Sequence, residues 1–165
     1  MKNRCAKAVF SGTFDPVTLG HIDIIKRAAE LFGEVHVVIA HNPDKTAMFT
    51  PEQRLEMLKA SVASLDCGDR IVCAVWERPV FEYCKKEGCS VIVKGIRNSS
   101  DFDYERILAR QTDSLCEGIE TVALLAKEEY DYISSTYVRG CISYGFPLDR
   151  CVPPEAIELI KKQAE

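Results

Sequence analysis

The segment Ser11–His21 carries the residues that are best suited to chemistry in this chain. Gly12 and Gly20 allow tight backbone geometry, Thr13 offers a hydroxyl donor, and His21 adds an imidazole. A short apolar run precedes the segment and apolar side chains at helical spacing follow it, which indicates strand, loop and helix in that order. Because a helix start directs free N–H groups and a positive dipole end at the loop before it, the segment predicts a phosphate-binding site.

Three further loops contain groups that suit phosphate, and each follows a predicted strand. One loop contains Lys45, the second is Lys94–Arg97 with two cations around a glycine, and the third is Tyr130–Thr136 with three hydroxyls leading into a helix that carries Arg139. The carboxyl ends of parallel strands meet at one edge of a sheet, where ligands bind. We therefore expect these loops and the first segment to converge on one site.

Apolar runs alternate with helical patterns along the whole chain, and several runs are nearly continuous, as in strands that are buried on both faces. The alternation predicts an α/β fold, a Rossmann-like, doubly wound sheet of five parallel strands with flanking helices. The length favours a single domain over residues 1–165. The predicted strands are Ala6–Phe10, Val35–Ala40, Ile71–Val75, Ser90–Lys94 and Thr121–Leu125, and the predicted helices span residues 20–32, 51–65, 80–87, 101–116, 135–144 and 154–163.

The composition narrows the class of protein. The formal charge is −4 and no basic stripe occurs, so we expect no nucleic-acid partner. No window reaches the roughly 20 apolar residues of a membrane-spanning helix, and the segment Met1–Cys5 is polar and basic, so we expect no membrane partner and a cytoplasmic location. The eight cysteines show no C-x-x-C pair and no zinc-like spacing, which predicts reduced thiols without metal.

The motifs of the first segment resemble those of a known family. Gly-Thr-Phe-Asp-Pro at residues 12–16, followed by Thr-x-Gly-His at residues 18–21, resembles the signature of the nucleotidyltransferase superfamily. Because Thr18 stands in the first place of that turn, the motif is similar to that of the phosphopantetheine adenylyltransferases. The resemblance implies that the chain joins ATP and 4′-phosphopantetheine to give dephospho-coenzyme A and pyrophosphate, in the synthesis of coenzyme A.

Two later stretches extend the resemblance. Lys94–Arg97 with the following Asp101–Glu105 is similar to the family's Arg-Gly-Leu-Arg and Asp-Phe-x-Tyr-Glu run, and Ile133–Thr136 resembles its Ile-Ser-Ser-(Ser/Thr) element. The resemblance thus runs from about Lys7 to Arg139. These motifs occur in the family's order and at its spacing.

The resemblance implies roles for individual residues. The residues expected to act in catalysis are His21, Lys45 and Arg97. Phosphopantetheine is expected to bind Thr13, Lys45, Val80 and Lys94. ATP is expected to bind a larger set, namely Thr13, Phe14, His21, Gly95, Ile96, Arg97, Glu105, Tyr130, Asp131, Tyr132, Ile133, Ser134, Ser135 and Thr136.

Three positions depart from the family's usual residues. Ser11 stands in place of Pro, which removes no ligand, and Thr112 stands in place of an Asn on the following helix. Lys94 stands in place of Arg, so the positive charge is kept while the planar fork that makes bidentate contacts is lost.

The resemblance further implies Mg²⁺ that arrives with ATP and is held by phosphate and water, since the sequence has no carboxylate cluster for it. It also implies a homohexamer, and coenzyme A as a product-side or feedback ligand. Two other functions stay open at this point. One is a nucleotidyltransferase that acts on nicotinate mononucleotide or a phospho-alcohol, and the other is a non-catalytic module that senses a nucleotide or coenzyme A.

Overall fold

The computed structural model describes residues 6–40 and 46–163. Within them, five parallel strands form one sheet with helices around it, so the predicted fold class is confirmed. The strands are β1 (Lys7–Gly12), β2 (Glu34–Ala40), β3 (Ile71–Trp76), β4 (Val91–Ile96) and β5 (Glu120–Leu125). The α-helices are α1 (Leu19–Leu31), α2 (Pro51–Ala63), α3 (Val80–Glu87), α4 (Ser99–Leu115), α5 (Ser135–Tyr144) and α6 (Pro154–Gln163).

The strand order β3-β2-β1-β4-β5 locates the crevice of the sheet. The chain leaves the central strand β1 in one direction to form β2 and β3, and then crosses back to form β4 and β5 on the other side. Beyond the carboxyl ends of β1 and β4 the strand order therefore reverses. Open α/β sheets bind their ligands at such a point.

Two strands extend two residues further at their carboxyl ends than the sequence predicts, and both border this crevice. Ser11 and Gly12 continue β1 by pairing with Val38 and Ile39 of β2, although a hydroxyl and a glycine favour a loop. Likewise β4 continues through residues 95–96, which pair with the end of β5. The neighbouring strands supply ladder partners that the local residue types do not reveal. Residues predicted to lie in loops therefore form rigid walls of the crevice.

The two faces of the sheet carry separate layers of core. Val9 of β1 packs on one face with Ile92, Tyr83 and three buried cysteines, Cys84, Cys89 and Cys116. On the opposite face, Ala8 and Phe10 belong to a larger cluster that includes side chains of α1, α2 and α6. This alternation along β1 follows from the period of two in a strand.

The seven cysteines in the described part of the chain form no disulfide. Burial raises the pKa of Cys73 and Cys89 to about 11 and that of Cys84 to about 12. Since the thiolate is the reactive form of cysteine, these thiols act as small apolar side chains. The helices within residues 6–40 and 46–163 are each too short or too polar to cross a membrane.

Candidate active site

A cavity of about 660 Å³ lies at the crevice between β1 and β4. Its walls come from the ends of these strands, the loop after β1, the start of α1, residues 46–51 and 54, and the start of α5. The structure brings most of the predicted site residues to this cavity. Those that line it are Thr13, His21, Lys94, Gly95, Arg97, Glu105, Tyr130, Ile133, Ser134, Ser135 and Thr136.

Five other predicted site residues in the described part of the chain do not line the cavity. Phe14 and Ile96 are buried, and Asp131 and Tyr132 are exposed. Val80 lies in α3 and packs against the core layer that contains Tyr83, so the structure does not bring it to the cavity. Lys45 lies outside the described residues. Its role stays a prediction.

The start of α1 holds His21 in a reciprocal cap. The backbone N–H of Thr18 donates to Nδ1 of His21 over 3.1 Å, and the backbone N–H of His21 donates to Oγ1 of Thr18 over 3.3 Å. Phe14 packs the edge of its ring against the imidazole, with 4.9 Å between ring centres. Burial lowers the pKa of His21 from 6.5 to about 4, and the positive charge of Arg97 acts in the same direction. His21 is therefore neutral at physiological pH.

The lowered pKa of His21 predicts an acid-dependent loss of stability. Between pH 6.5 and about 4, the unfolded chain takes up a proton at His21 that the native state does not. As the pH is lowered through this window, the free energy of unfolding should therefore decrease more steeply for the native protein than for a His21→Gln variant. Urea titrations of both proteins from pH 7 to pH 4 measure the difference, and parallel curves would contradict the assignment.

Three side-chain donors from two helices, α2 and α5, hold the backbone carbonyls of the loop after β1. Arg54 of α2 donates from Nη1 to the carbonyl of Thr13 over 2.8 Å. Arg139 of α5 donates to the carbonyl of Asp15 over 2.8 Å, and Oγ of Ser135 donates to that of Pro16 over 2.9 Å. These contacts fix the loop against the helices. The geometry of this loop, which is predicted to bind phosphate, is thus set by tertiary contacts.

The buried carboxylate of Asp15 joins this loop to the segment that precedes α2. Its two oxygens accept the backbone N–H groups of Met48 and Phe49, each over 2.9 Å. Arg139 lies 3.6 Å from Oδ2 of the same carboxylate. Asp15 therefore connects the segment that follows Lys45 in the chain with the helix that carries the predicted ATP-binding hydroxyls.

The three hydroxyls at the start of α5 each have a protein partner. Oγ of Ser134 accepts the N–H of Tyr137 as the helix cap, and Oγ1 of Thr136 accepts from Arg139. Both oxygens keep a hydroxyl proton that a phosphate could accept. Ser135 instead donates its hydroxyl proton to the carbonyl of Pro16, so its backbone N–H is the group it can offer to an anion at the helix start.

Lys94 and Glu105 were predicted to contact different substrates, and the structure pairs them with each other. The Lys94 ammonium lies 3.1 Å from Oε2 of Glu105, and both side chains are largely buried. Ser11 is 3.5 Å from the same ammonium, so two of the positions that depart from the family's usual residues are neighbours. Oε2 of Glu105 has no hydrogen bond of good geometry in the described part of the chain, which makes the Lys94 charge its main compensation.

The pairing predicts a loss of stability when Lys94 is neutralised. Lys94→Met should reduce the free energy of unfolding by about 1–3 kcal/mol, because the Glu105 carboxylate then loses its compensating charge. Lys94→Arg keeps the charge and serves as the matched control. In a double-mutant cycle, Glu105→Gln should cost less in the Lys94→Met background than in the native one. Additive losses in urea denaturation would show that the two side chains are not coupled.

Arg97 is held at the entrance of the cavity by an ion pair. Its Nε lies 2.9 Å and its Nη2 3.2 Å from the two carboxylate oxygens of Asp101. Nη1 reaches toward the carbonyl of Ile133, 3.4 Å away. Asn98 caps α4 by accepting the N–H of Asp101, so the helix start and the arginine are fixed together.

Sequence reasoning missed several residues that shape the site. Arg54 is buried and lines the cavity, but within its helical pattern it reads as an exposed cation. Asp15 and Thr18 were noted only as members of a motif, and Arg139 only as a cation on a helix. Asp15 lies within the Gly-Thr-Phe-Asp-Pro motif and Thr18 lies two residues after it, so the motif was the available signal for both residues. Only a folded chain brings Arg54 and Arg139 to that motif.

Comparison with known proteins defines the class of enzyme to which this chain belongs. Residues 9–140 match the family model described as cytidylyltransferase-like. A solved structure described as a nicotinate-nucleotide adenylyltransferase from Vibrio parahaemolyticus superposes with a TM-score of 0.73, covering 96% of this chain and 93% of that one. Its sequence identity is 18%, so this likeness shows the fold alone. The fold and the family model together define a nucleotidyltransferase.

More similar sequences narrow the family. The phosphopantetheine adenylyltransferase of Symbiobacterium thermophilum is 42% identical over 148 residues, 90% of each chain. Proteins of the same name from a Synechococcus species and from Leptospira biflexa are 37% and 38% identical, and each match covers 94% of this chain and 96% of the relative. The chain belongs to the phosphopantetheine adenylyltransferase family. The predicted family and enzyme class are therefore confirmed.

Proposed function

We propose that this protein transfers the adenylyl group of ATP to 4′-phosphopantetheine, giving dephospho-coenzyme A and pyrophosphate. The observation that carries the proposal is the convergence of a neutral histidine, a helix start and a loop held by arginines on one cavity at the crevice of the sheet. The identity of 42% to a named relative over most of both chains supports the choice of substrate.

The acceptor phosphate is itself the nucleophile in this reaction. One of its oxygens forms a bond to the α-phosphorus of ATP, the bond from that phosphorus to the β-phosphate oxygen breaks, and the electron pair leaves with pyrophosphate. The protein therefore needs no attacking serine or cysteine. Its tasks are to align the two phosphates and to stabilise the charge on their oxygens.

In this proposal, Thr13, Lys45 and Lys94 hold the acceptor phosphate. The backbone N–H groups at the start of α1 offer a complementary site for ATP. Leu19 donates its N–H to the carbonyl of Cys151, and His21 donates to Thr18, whereas the N–H of Gly20 has no acceptor among the described residues. Gly20 lines the cavity and is free to bind a phosphate oxygen there.

The remaining ATP contacts are assigned by position around the same cavity. His21 and Arg97 face the α- and β-phosphates, and residues 134–136 at the start of α5 hold the end that leaves as pyrophosphate. Tyr130 and Ile133 offer apolar surface for the adenine, and both line the cavity.

Mg²⁺ is the proposed cofactor and enters with ATP. Within residues 6–40 and 46–163, the acidic, histidine and cysteine side chains form no group of three or more that could hold a metal ion. The cavity carboxylates of Asp15 and Glu105 are already compensated by backbone N–H groups and by Lys94. The donor set fits an ion whose ligands are phosphate oxygens and water, where it neutralises charge on the phosphates.

A homohexamer in the cytoplasm, and coenzyme A as a feedback ligand, complete the proposal. Support for assembly comes from α4, which buries none of its residues in the described chain and exposes Phe102, Tyr104, Ile107 and Leu115. Exposed apolar side chains grouped on one element are typical of a protein interface. Sedimentation velocity measures the oligomeric state directly.

One assay tests the proposed reaction against its alternatives. Purified protein is incubated with ATP and Mg²⁺, and pyrophosphate is measured with 4′-phosphopantetheine, nicotinate mononucleotide or a phospho-alcohol as acceptor. We expect pyrophosphate with 4′-phosphopantetheine. Release with another acceptor alone would indicate a different nucleotidyltransferase. ATP or coenzyme A binding without release would indicate a sensing module.

A further inference from the structure

The hydrogen bonds of His21 define which of its ring nitrogens carries the proton. Nδ1 lies 3.1 Å from the backbone nitrogen of Thr18, and a backbone N–H can only donate. Nδ1 must therefore be an acceptor. In a neutral imidazole one nitrogen accepts and the other carries the proton, so the proton is on Nε2.

Thr18 also fixes the direction in which the Nε2 proton of His21 points. Oγ1 of Thr18 lies 3.1 Å from Nδ1 and accepts the backbone N–H of His21, so the ring is held from its Nδ1 edge. The Phe14 ring restrains the imidazole from a second side. Nε2 is at the opposite edge of the ring and has no acceptor among the described residues, while His21 lines the cavity.

We propose that Thr18 is a positioning residue for adenylyl transfer, which holds His21 as the neutral tautomer with its proton on Nε2. His21 then donates a hydrogen bond to the ATP phosphates and gives up no proton during the reaction. The inference rests on the proposed function, in which His21 faces the phosphates. Both the attacking and the leaving group are phosphates, so the bond change needs a donor that stabilises negative oxygen and needs no acid.

A simpler role for Thr18 is that of a helix cap alone. Any good cap would then serve, because Ser, Thr, Asp and Asn all stabilise a helix start. The positioning role instead requires a side chain that leaves Nδ1 as an acceptor. A carboxylate beside Nδ1 favours a proton on that atom. Serine and aspartate at position 18 therefore separate the two roles.

The first measurement is the tautomer itself. Long-range ¹H–¹⁵N correlation spectra of the histidine-labelled full chain distinguish protonated from unprotonated ring nitrogens, and loss of one set of signals in His21→Gln assigns His21 among the three histidines. We expect a protonated Nε2 and an unprotonated Nδ1 from pH 8 to pH 5. A proton on Nδ1, or titration of the ring within that range, would overturn the proposal. The charged and titratable side chains that line the cavity together with His21, and therefore bear on its protonation, are Asp15, Arg54, Lys94, Arg97, Glu105, Tyr130 and Arg139.

The second measurement compares two caps at position 18. Thr18→Ser should keep the tautomer and retain turnover within about threefold, whereas Thr18→Asp should place a proton on Nδ1 and lower kcat by about tenfold or more. Thermal denaturation checks that both variants fold. A folded Thr18→Asp variant with native turnover, or with an unchanged His21 spectrum, would show that Thr18 only caps the helix.

The third measurement replaces the imidazole by neutral amides. The amide nitrogen of glutamine reaches about as far along the side chain as Nε2, and that of asparagine only as far as Nδ1. His21→Gln should therefore lose less than about tenfold in kcat, and His21→Asn should lose as much as His21→Ala. A folded, ATP-binding His21→Gln variant that is no better than His21→Ala would overturn the role of a neutral donor.

Failure of this inference is distinguishable from failure of the proposed function. The tautomer is measured on the protein without substrate, so it does not depend on the acceptor. If the native protein released no pyrophosphate with 4′-phosphopantetheine, the proposed function would be wrong while the tautomer could still be as inferred. If it released pyrophosphate with Nδ1 protonated, the function would stand and the positioning role of Thr18 would fall.

Discussion

His21→Ala is expected to lower turnover by about 10²–10³-fold, or roughly 3–4 kcal/mol, while ATP affinity stays near that of the native protein. The imidazole faces the cavity and contributes little to the core, so the variant should fold. Negative charge shifts among the phosphate oxygens during transfer, and a donor placed there binds the transition state more tightly than bound ATP. Steady-state pyrophosphate release and ATP titration measure the two quantities separately.

His36→Ala is the matched control for this prediction. His36 is buried under the opposite side of the sheet, where its ring nitrogens contact the hydroxyl of Tyr83 over 2.9 Å and the carboxylate of Glu34 over 2.7 Å. Its removal should lower stability and leave turnover per folded molecule unchanged. If His21→Ala lost less than about tenfold in turnover, near 1.4 kcal/mol, with folding and ATP affinity intact, its assigned role in catalysis would be wrong.

Asp15→Ala is expected to reduce the free energy of unfolding by about 2–4 kcal/mol, because it leaves two backbone N–H groups without their buried acceptor and removes the negative charge that faces Arg139. The segment at Met48 and Phe49 should also lose its attachment to the loop after β1. We therefore expect a higher KM for the acceptor together with the loss of stability. Urea denaturation and acceptor titration provide the two readouts.

Two variants make the Asp15 prediction specific. Asp15→Asn keeps one acceptor oxygen and should fall between the native protein and Asp15→Ala. Asp103→Ala removes an exposed carboxylate 3.3 Å from Arg106 and should change the free energy of unfolding by less than about 1 kcal/mol. A similar small loss for Asp15→Ala would mean that water replaces the carboxylate, and that Asp15 does not hold the loop in place.

The sequence by itself determined the order of strands and helices, because burial on both faces leaves a continuous apolar run and a helix leaves apolar side chains at its own period. It also located the helix starts whose caps are formed by residues close together in the chain. At α2, Thr50 and Gln53 form the reciprocal cap that their spacing predicts. The turn around His21 was recognisable for the same reason, since its glycines, hydroxyls and imidazole are close together in the chain.

Only the tertiary structure decided which partner each polar group in the site has. Lys94 and Glu105 are 11 positions apart and pair with each other, and Ser135 binds a carbonyl 119 residues away. Arg54 and Arg139 reach the loop after β1 from two different helices. The local sequence pattern indicates which side chains are buried and which backbone conformation is preferred. A hydrogen bond between distant residues depends instead on how the sheet brings strand ends and helix starts together. The residues that bind substrate could be proposed from motifs, and those that hold them in place became visible only in the folded chain.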